Sequence, residues 1–296
     1  MAIQIAVHAG RAVRMEAQVA RGTRLANRHR VMPEPSSFLR PSDRDPREWE
    51  ARVALAACYR MVARLGLDDM IYNHISLRVP GRPGEFLLNP YGLMFGEITA
   101  SSLVRIDLQG RKLEDSPHEV NVAAFVIHAA IHESRHDAAC VLHTHSDASL
   151  AVSAQPEGLL PLSQFAMRFY GRQAFHDYEG VAIDLDEQSR LVRDFASHPV
   201  MLMRNHGLLT VGRTPGEAFM LLYYFERAAR IQLDMQAAAA GGAGPIQMPP
   251  PEVCEKAARQ FWQQQGDILS PGEREWPALL RQLDQSAHPL IPDYRS

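Results

Sequence analysis

Apolar residues recur at helical spacing over residues 47–65, at Val53, Ala56, Ala57, Met61 and Leu65. Asp45-Pro46 supplies a cap and first turn, and Gly66 a stop. The pattern then changes period. IYNHISLRV (residues 71–79) alternates as a strand does, and FLLNP (86–90) follows a Gly/Pro turn. VRIDLQGRKLE (104–114) predicts a hairpin around Gln109-Gly110. Residues 119–133 return to helical spacing, with Val122, Phe125, Val126 and Ala129 on one face. CVLHTH (140–145) is a buried strand, and residues 146–154 and 186–197 are short helices. VMLMRNHG (200–207) and LLTVG (208–212) predict two strands joined at Asn205-His206-Gly207. A long helix runs from Thr214 to about Gln236, with Thr214 as cap, Pro215 at its first position and Glu217 three residues after the cap.

Outside this alternation of strands and helices, the pattern fades. Residues 1–45 carry scattered arginines, poor periodicity and a closing Pro33, Pro35 and Pro41, the signature of a flexible arm. AAAAGGAGPIQMPPP (237–251) is a linker by composition, followed by short amphipathic pieces at 252–264 and 276–283. The expected organisation is therefore an N-terminal arm over 1–45, one α/β domain over 46–240, and a linker with a helical tail over 241–296.

Composition narrows the partners. A net charge of −3 gives no global pull toward nucleic acid or a membrane surface. No apolar run is long enough to cross a bilayer, and no secretory leader is read at the N-terminus. Cys58, Cys140 and Cys254 are odd in number, far apart and without a CxxC pair, which fits a reducing, cytoplasmic setting.

The chemistry concentrates in histidine. His143 and His145 lie two apart on a strand, so they share a face and can chelate one metal ion. The bland alternative is one imidazole bonded to backbone and one in solvent. Two features favour chelation: the pair follows an apolar strand, at the strand end where α/β sheets place ligands, and a third histidine, His206, sits in a strand–turn–strand. Gly207 beside it is expected to adopt a backbone conformation that other residues avoid. A competing set, His128, His132 and His136, is spaced four apart on or near a helix. His132 and His136 are assigned to structure and solvent at the helix end, and His128 to a semi-buried core position.

Several stretches together resemble the class II aldolase/adducin family, its adducin-like branch most closely: GLDDMIYNHISLRVPG (66–81), FLLNPYGLMFGEITASSLVRIDLQG (86–110), FVIHAAIHESRHDAACVLHTHSDASLAVSA (125–154), PLSQFAMRFYG (161–171) and MRNHGLLTVGRTPGEAFMLLYYFERAARIQ (203–232). The resemblance spans about residues 48–240. It implies a three-layer α/β fold with a central, mainly antiparallel sheet flanked by helices. It also implies a homotetramer with sites at subunit contacts and a divalent metal. His143, His145 and His206 match the family's metal histidines. Zinc is the first choice, with iron, manganese or cobalt as alternatives.

Departures from the aldolase branch bear on the substrate. The position of its metal-binding, acid–base glutamate is Ala124, and its two phosphate-binding serines read Val122 and Ala123. Its Asn-x-Ser-x-Arg loop reads His74-Ile-Ser76-Leu-Arg78, and its Thr-Gly reads Tyr91-Gly92. A phosphate dianion needs several donors, so these losses argue against a sugar phosphate. The expectation is a lyase that cleaves or decarboxylates a small non-phosphorylated oxo or hydroxy acid. His176 and Tyr178 are the catalytic candidates, and His74, Ser76, Asn89, Gly92, Ser163 and Gln164 line the substrate. Two alternatives stay open: a non-haem iron oxygenase acting on an aryl-pyruvate, and a non-catalytic assembly module as in adducins. A pure scaffold has no reason to keep all three histidines.

Overall fold

The computed structural model describes residues 44–181, 184–263, 272–285 and 292–296, so the expected arm over 1–45 lies almost wholly outside the described residues. Helix α1 (Pro46–Arg64) starts as the sequence dictates: the Asp45 carboxylate accepts from Arg47 N at 2.8 Å, and Pro46 fills the first turn. Gly66, at φ +63°, ends it in the left-handed conformation that glycine adopts without strain. Strands β1 (His74–Arg78), β2 (Glu85–Leu88) and β3 (Val104–Asp107) follow, then helix α2 (Val122–Ser134), strand β4 (Cys140–Thr144) and helix α3 (Asp147–Ser153). The chain continues through α4 (Gln164–Met167), β5 (Gln173–His176), α5 (Glu187–Phe195), β6 (Val200–Met203), β7 (Gly207–Gly212) and the long α6 (Pro215–Ala238). Helices α7 (Pro251–Trp262) and α8 (Glu275–Gln285) complete it.

The seven strands form one sheet in the order β3-β2-β1-β4-β7-β6-β5, antiparallel throughout except for β5 beside β6. Because side chains alternate along each strand, the sheet presents two apolar faces. One carries Leu77, Leu142, Leu202 and Leu208 and is covered by α1, α3, α4 and α6. The other carries Val141, Met201, Met203 and Leu209 and is covered by α2 and α5, with Phe86, Leu88, Val104 and Ile106 extending it under α2. The result is the three-layer, mainly antiparallel α/β fold expected.

Three local expectations change. The hairpin around Gln109-Gly110 is a turn with a single bridge, Ile106 to Lys112, because the Asp107 carboxylate folds the chain back by accepting from Gln109 N and Arg111 N. Strand β5 and helix α4 lie where no element was expected. The tail packs onto the body: Trp276, Leu279 and Leu283 join the core beneath α1 and α6, and Ala100 N donates to Tyr294 O.

Candidate metal centre

Five strands bring their ends to one edge of the sheet. His74 opens β1 in register with His143 near the end of β4, Gly207 opens β7, and the ends of β5 and β6 pair at His176 and Met203. His143 has the parity of Val141, so it faces the α2/α5 layer, and His145 follows it two residues on. The β6–β7 turn carries His206 over the same point. The three rings lie 4.8–5.0 Å apart by centroid, and one nitrogen from each falls within 4.8 Å of the others.

The turn differs from expectation in an instructive way. The left-handed residue is Asn205, at φ +56°, while Gly207 has an ordinary φ. Glycine is needed at 207 for space: a Cβ there would collide with the Thr144 carbonyl oxygen and lie 3.2 Å from both the His143 and His145 rings.

Hydrogen bonding orients the first two imidazoles. His143 Nδ1 donates to Leu208 O at 3.1 Å, and His145 Nδ1 donates to Asp69 Oδ2 at 2.9 Å. Each neutral ring holds one proton, so both Nε2 atoms carry lone pairs, and these face each other at 3.0 Å. Two lone pairs at that distance repel unless a cation sits beside them. Burial, then the neighbouring imidazoles, holds His143 well below the usual histidine range, and burial followed by His145 pushes His206 down to about 4. The donor set is therefore aimed inward, which fits a divalent metal ion with backbone and carboxylate partners behind its ligands.

Asp69, in Gly66-Leu67-Asp68-Asp69, escaped the sequence reading. The doubled acid before a strand was its only signal, because its partner lies 76 residues away. Glu226 of α6 was also missed. Its carboxylate accepts from Ser146 Oγ, Ser149 N and Ser149 Oγ at 2.9, 3.0 and 2.6 Å, fixing the start of α3 directly after His145.

The remaining candidates divide. Tyr178 is exposed, with its ring 6.4 Å from that of His206. His176 is buried against α5, its Nδ1 2.8 Å from Asp194 Oδ2 and its Nε2 3.3 Å from Glu187 Oε1, which is ion-pair distance without hydrogen-bond geometry. That placement fastens α5 to the end of β5. His74 lies against His143, with centroids 5.0 Å apart. Ser76 is fully buried and bonded to His128 and His132, so it is closed to substrate. Asn89 is buried beneath the edge, its carboxamide oxygen accepting from Tyr59 OH at 2.8 Å, and Gly92 turns the loop at φ +99°. Ser163 caps α4 and Gln164 is exposed on it. Helix α4 packs on α6 and α7 across the sheet from the histidines, so within one chain these two are not brought to the trio. His132 is not at the surface as expected but 1 % exposed, whereas His136 is exposed. Ala124 is buried among Phe86, Leu88 and Val104, an apolar surrounding where a carboxylate would lack partners.

A three-layer α/β fold with convergent histidines at a sheet edge defines a class, and comparison with known proteins places the chain in it. Residues 53–233 match the Class II Aldolase and Adducin N-terminal domain, and the chain belongs to that family. It is 46 % identical over 248 residues to a provisionally named aldolase class 2 protein of Pseudomonas aeruginosa, covering 84 % of this chain and 93 % of that one. Rat alpha-adducin is 36 % identical over 272 residues, 88 % of this chain but 37 % of the adducin. A Streptomyces roseochromogenus protein named 4-hydroxy-3-prenylphenylpyruvate oxygenase/4-hydroxy-3-prenylbenzoate synthase is 36 % identical over 208 residues, 70 % of this chain and 73 % of that one. Among solved structures, an aldolase II superfamily protein from Pseudomonas syringae superposes with a TM-score of 0.76 at 47 % identity, covering 86 % of this chain and 98 % of that one.

Proposed function

We propose that the protein is a metal-dependent lyase that cleaves or decarboxylates a small, non-phosphorylated oxo or hydroxy acid. The observation that carries this reading is the pair of Nε2 lone pairs of His143 and His145 meeting at 3.0 Å beneath His206. A divalent ion held by these residues would supply Lewis acidity that stabilises negative charge developing beside a carbonyl. Zinc is the first choice for three neutral imidazoles, with iron, manganese and cobalt as alternatives.

The chain's own residues set the rest. At the positions that match the aldolase branch's phosphate-binding serines and glutamate the chain has Val122, Ala123 and Ala124, which bring no hydroxyl or carboxylate to a phosphorylated substrate. Bond breaking in decarboxylation needs no base for a hydroxyl proton, so the loss of the glutamate favours decarboxylation over retro-aldol cleavage. Tyr178 is the candidate for moving a proton. Met70, Tyr72, Tyr91, Met94, Tyr178 and Val181 are exposed, and Tyr178 stands beside His206; exposed apolar residues of this kind support packing as a homotetramer. Three buried, free cysteines support a cytoplasmic setting. We also read residues 46–240 as the family domain and 241–296 as its linker and tail.

Elemental analysis of the purified protein beside His143→Ala tests the centre. We expect a divalent ion in the first and none in the second, and retention by the variant overturns the assignment. A second reading, an iron-dependent oxygenase, is favoured by the likeness to the Streptomyces oxygenase. Screening oxo acids with and without dioxygen separates the two, because only the oxygenase requires it. If no oxo acid turns over while the metal is bound, the assembly reading, supported by the likeness to adducin, takes their place.

A further inference from the structure

One side chain of α1 reaches into the sheet itself. Tyr59 is fully buried, and its hydroxyl accepts from Ile75 N at 2.8 Å and from Asn89 N at 3.1 Å. The same hydroxyl has one proton for two acceptors, Ile75 O and, at 2.8 Å, Asn89 Oδ1. The register of β1 on β2 says what this group replaces. Leu77 faces Leu87, Arg78 faces Phe86, and Val79 N donates to Glu85 O. Hydrogen-bonded pairs alternate along an antiparallel ladder, so after Val79 with Glu85 and Leu77 with Leu87 the next is Ile75 with Asn89. The phenol oxygen stands in place of that pair. On its other side β1 stays paired as far as His74 opposite His143, whereas β2 ends at Leu88 and the chain beyond it turns away, with Tyr91 N donating to Glu119 O.

From this fork, hydrogen bonds run to a metal ligand. Asn89 Nδ2 donates to Asn73 O at 3.4 Å. Asn73 is 1 % exposed, and its Oδ1 accepts from Asp69 N at 2.7 Å. Asp69 Oδ2 in turn holds His145 Nδ1 at 2.9 Å. The loop between needs such fixing. Met70 sits at φ +48°, a left-handed conformation uncommon for a residue with a side chain, and Tyr72 N closes the turn on Asp69 O at 2.9 Å. Strain of this kind persists only where the surroundings over-determine it.

We infer that Tyr59, Asn89 and Asn73 are positioning residues for the metal ligand His145. By parting β1 from β2, the phenol keeps residues 69–73 out of the ladder and sets Asp69 behind the imidazole. Continued pairing would extend β1 into the loop that carries Asp69. Asn89, expected from the sequence to line the substrate, is in this role a support for the metal. The inference rests on the metal reading above and deepens it.

Zinc affinity of the full-length protein, read by competition with a chromophoric chelator, tests it. Tyr59→Phe keeps the ring that packs edge-on against Phe95 and removes only the hydroxyl. We expect Tyr59→Phe and Asn73→Ala each to weaken zinc binding about threefold to tenfold, less than the loss of the carboxylate itself. Tyr294→Phe, which removes a phenol hydroxyl bonded to Asp284, should leave the affinity unchanged. In the Asp69→Asn background the loss caused by either variant should vanish, because all act through one carboxylate. Full affinity in either variant overturns the inference, as does a loss that adds to that of Asp69→Asn or is matched by Tyr294→Phe. If Tyr59→Phe does not fold, Asn73→Ala in the same cycle decides. Hydrogen exchange on metal-free protein is the second readout. The Asp69 amide should be protected in the unmutated protein and exchange about tenfold faster in both variants. An amide equally labile in all three overturns the inference. An unmutated protein that binds no zinc overturns the metal reading and this role with it, whereas full affinity in the variants of a protein that binds zinc overturns this inference alone.

Discussion

Gly207 shows how narrow the tolerance is at the centre. Its missing Cβ lets the His206 turn close against the Thr144 carbonyl and the rings of His143 and His145. Gly207→Ala should fold, because its φ suits alanine, yet displace His206 and lose the metal. Elemental analysis alongside the melting temperature checks this, and full metal content in the variant would show the turn to be slack. Asp69 acts one step further out, by orienting His145 through Nδ1. Asp69→Asn should lower metal affinity about 10–100-fold, read by competition with a chromophoric chelator. The histidines themselves were legible in the chain, because HxH on a strand and His in a tight turn are local patterns. Asp69 was not, and neither was the burial of His132. Both depend on β1 and its preceding loop meeting segments more than 50 residues away. Gly207 was singled out correctly, but for its conformation, when steric clearance is what requires it.

At the scale of elements, the histidine edge is held by groups that fasten helices to strands. Glu226 reaches from α6 to the first turn of α3, where its charge and the free N–H groups of that turn attract each other. Glu226→Gln keeps the shape but removes the charge and turns one acceptor oxygen into a donor facing donors. We expect a loss of about 2 kcal/mol in urea unfolding, together with weaker metal binding because α3 begins right after His145. Unchanged stability would mean that the serines find other partners. Helix α1 is tied down in the same manner. Arg52, fully buried, binds Glu48 and Glu114 at 2.9 and 2.6 Å and the Leu103 carbonyl at 2.7 Å. Strong local periodicity made α1, α2 and α6 readable, with ends displaced by up to three residues. Strand β5 was not readable because its four residues alternate only weakly and gain their place by pairing with β6. Helices α7 and α8 were readable as amphipathic pieces, yet the sequence gives no sign that Trp276 seats against Gly216.

For the molecule as a whole, buried neutral histidines tie folding to pH above the range where carboxylates titrate. His128 and His132 sit on the buried face of α2. Burial, then the neighbouring His132, holds His128 well below the usual value, and burial, then Arg78, pushes His132 down to about 3. In the unfolded chain both protonate near pH 6.5. Between that pH and their folded values the unfolded state binds more protons, so stability falls as pH falls. The slope is about 1.4 kcal/mol per pH unit for each such histidine. Glu114 adds to this lower down. Burial raises its carboxyl, but the hydrogen bonds and charges of Arg52 and Arg44 outweigh that and hold it below the usual value, so its contribution is lost as pH falls through the acid range. We therefore expect the urea midpoint of metal-free protein to hold between pH 8 and 7 and to decline steeply from about pH 6.5. His132→Leu should flatten the decline, even if it lowers stability at pH 8, because it removes one group whose protonation favours unfolding. A midpoint that stays level to pH 5 and drops only in the carboxylate range would show that these histidines are already protonated in the folded chain.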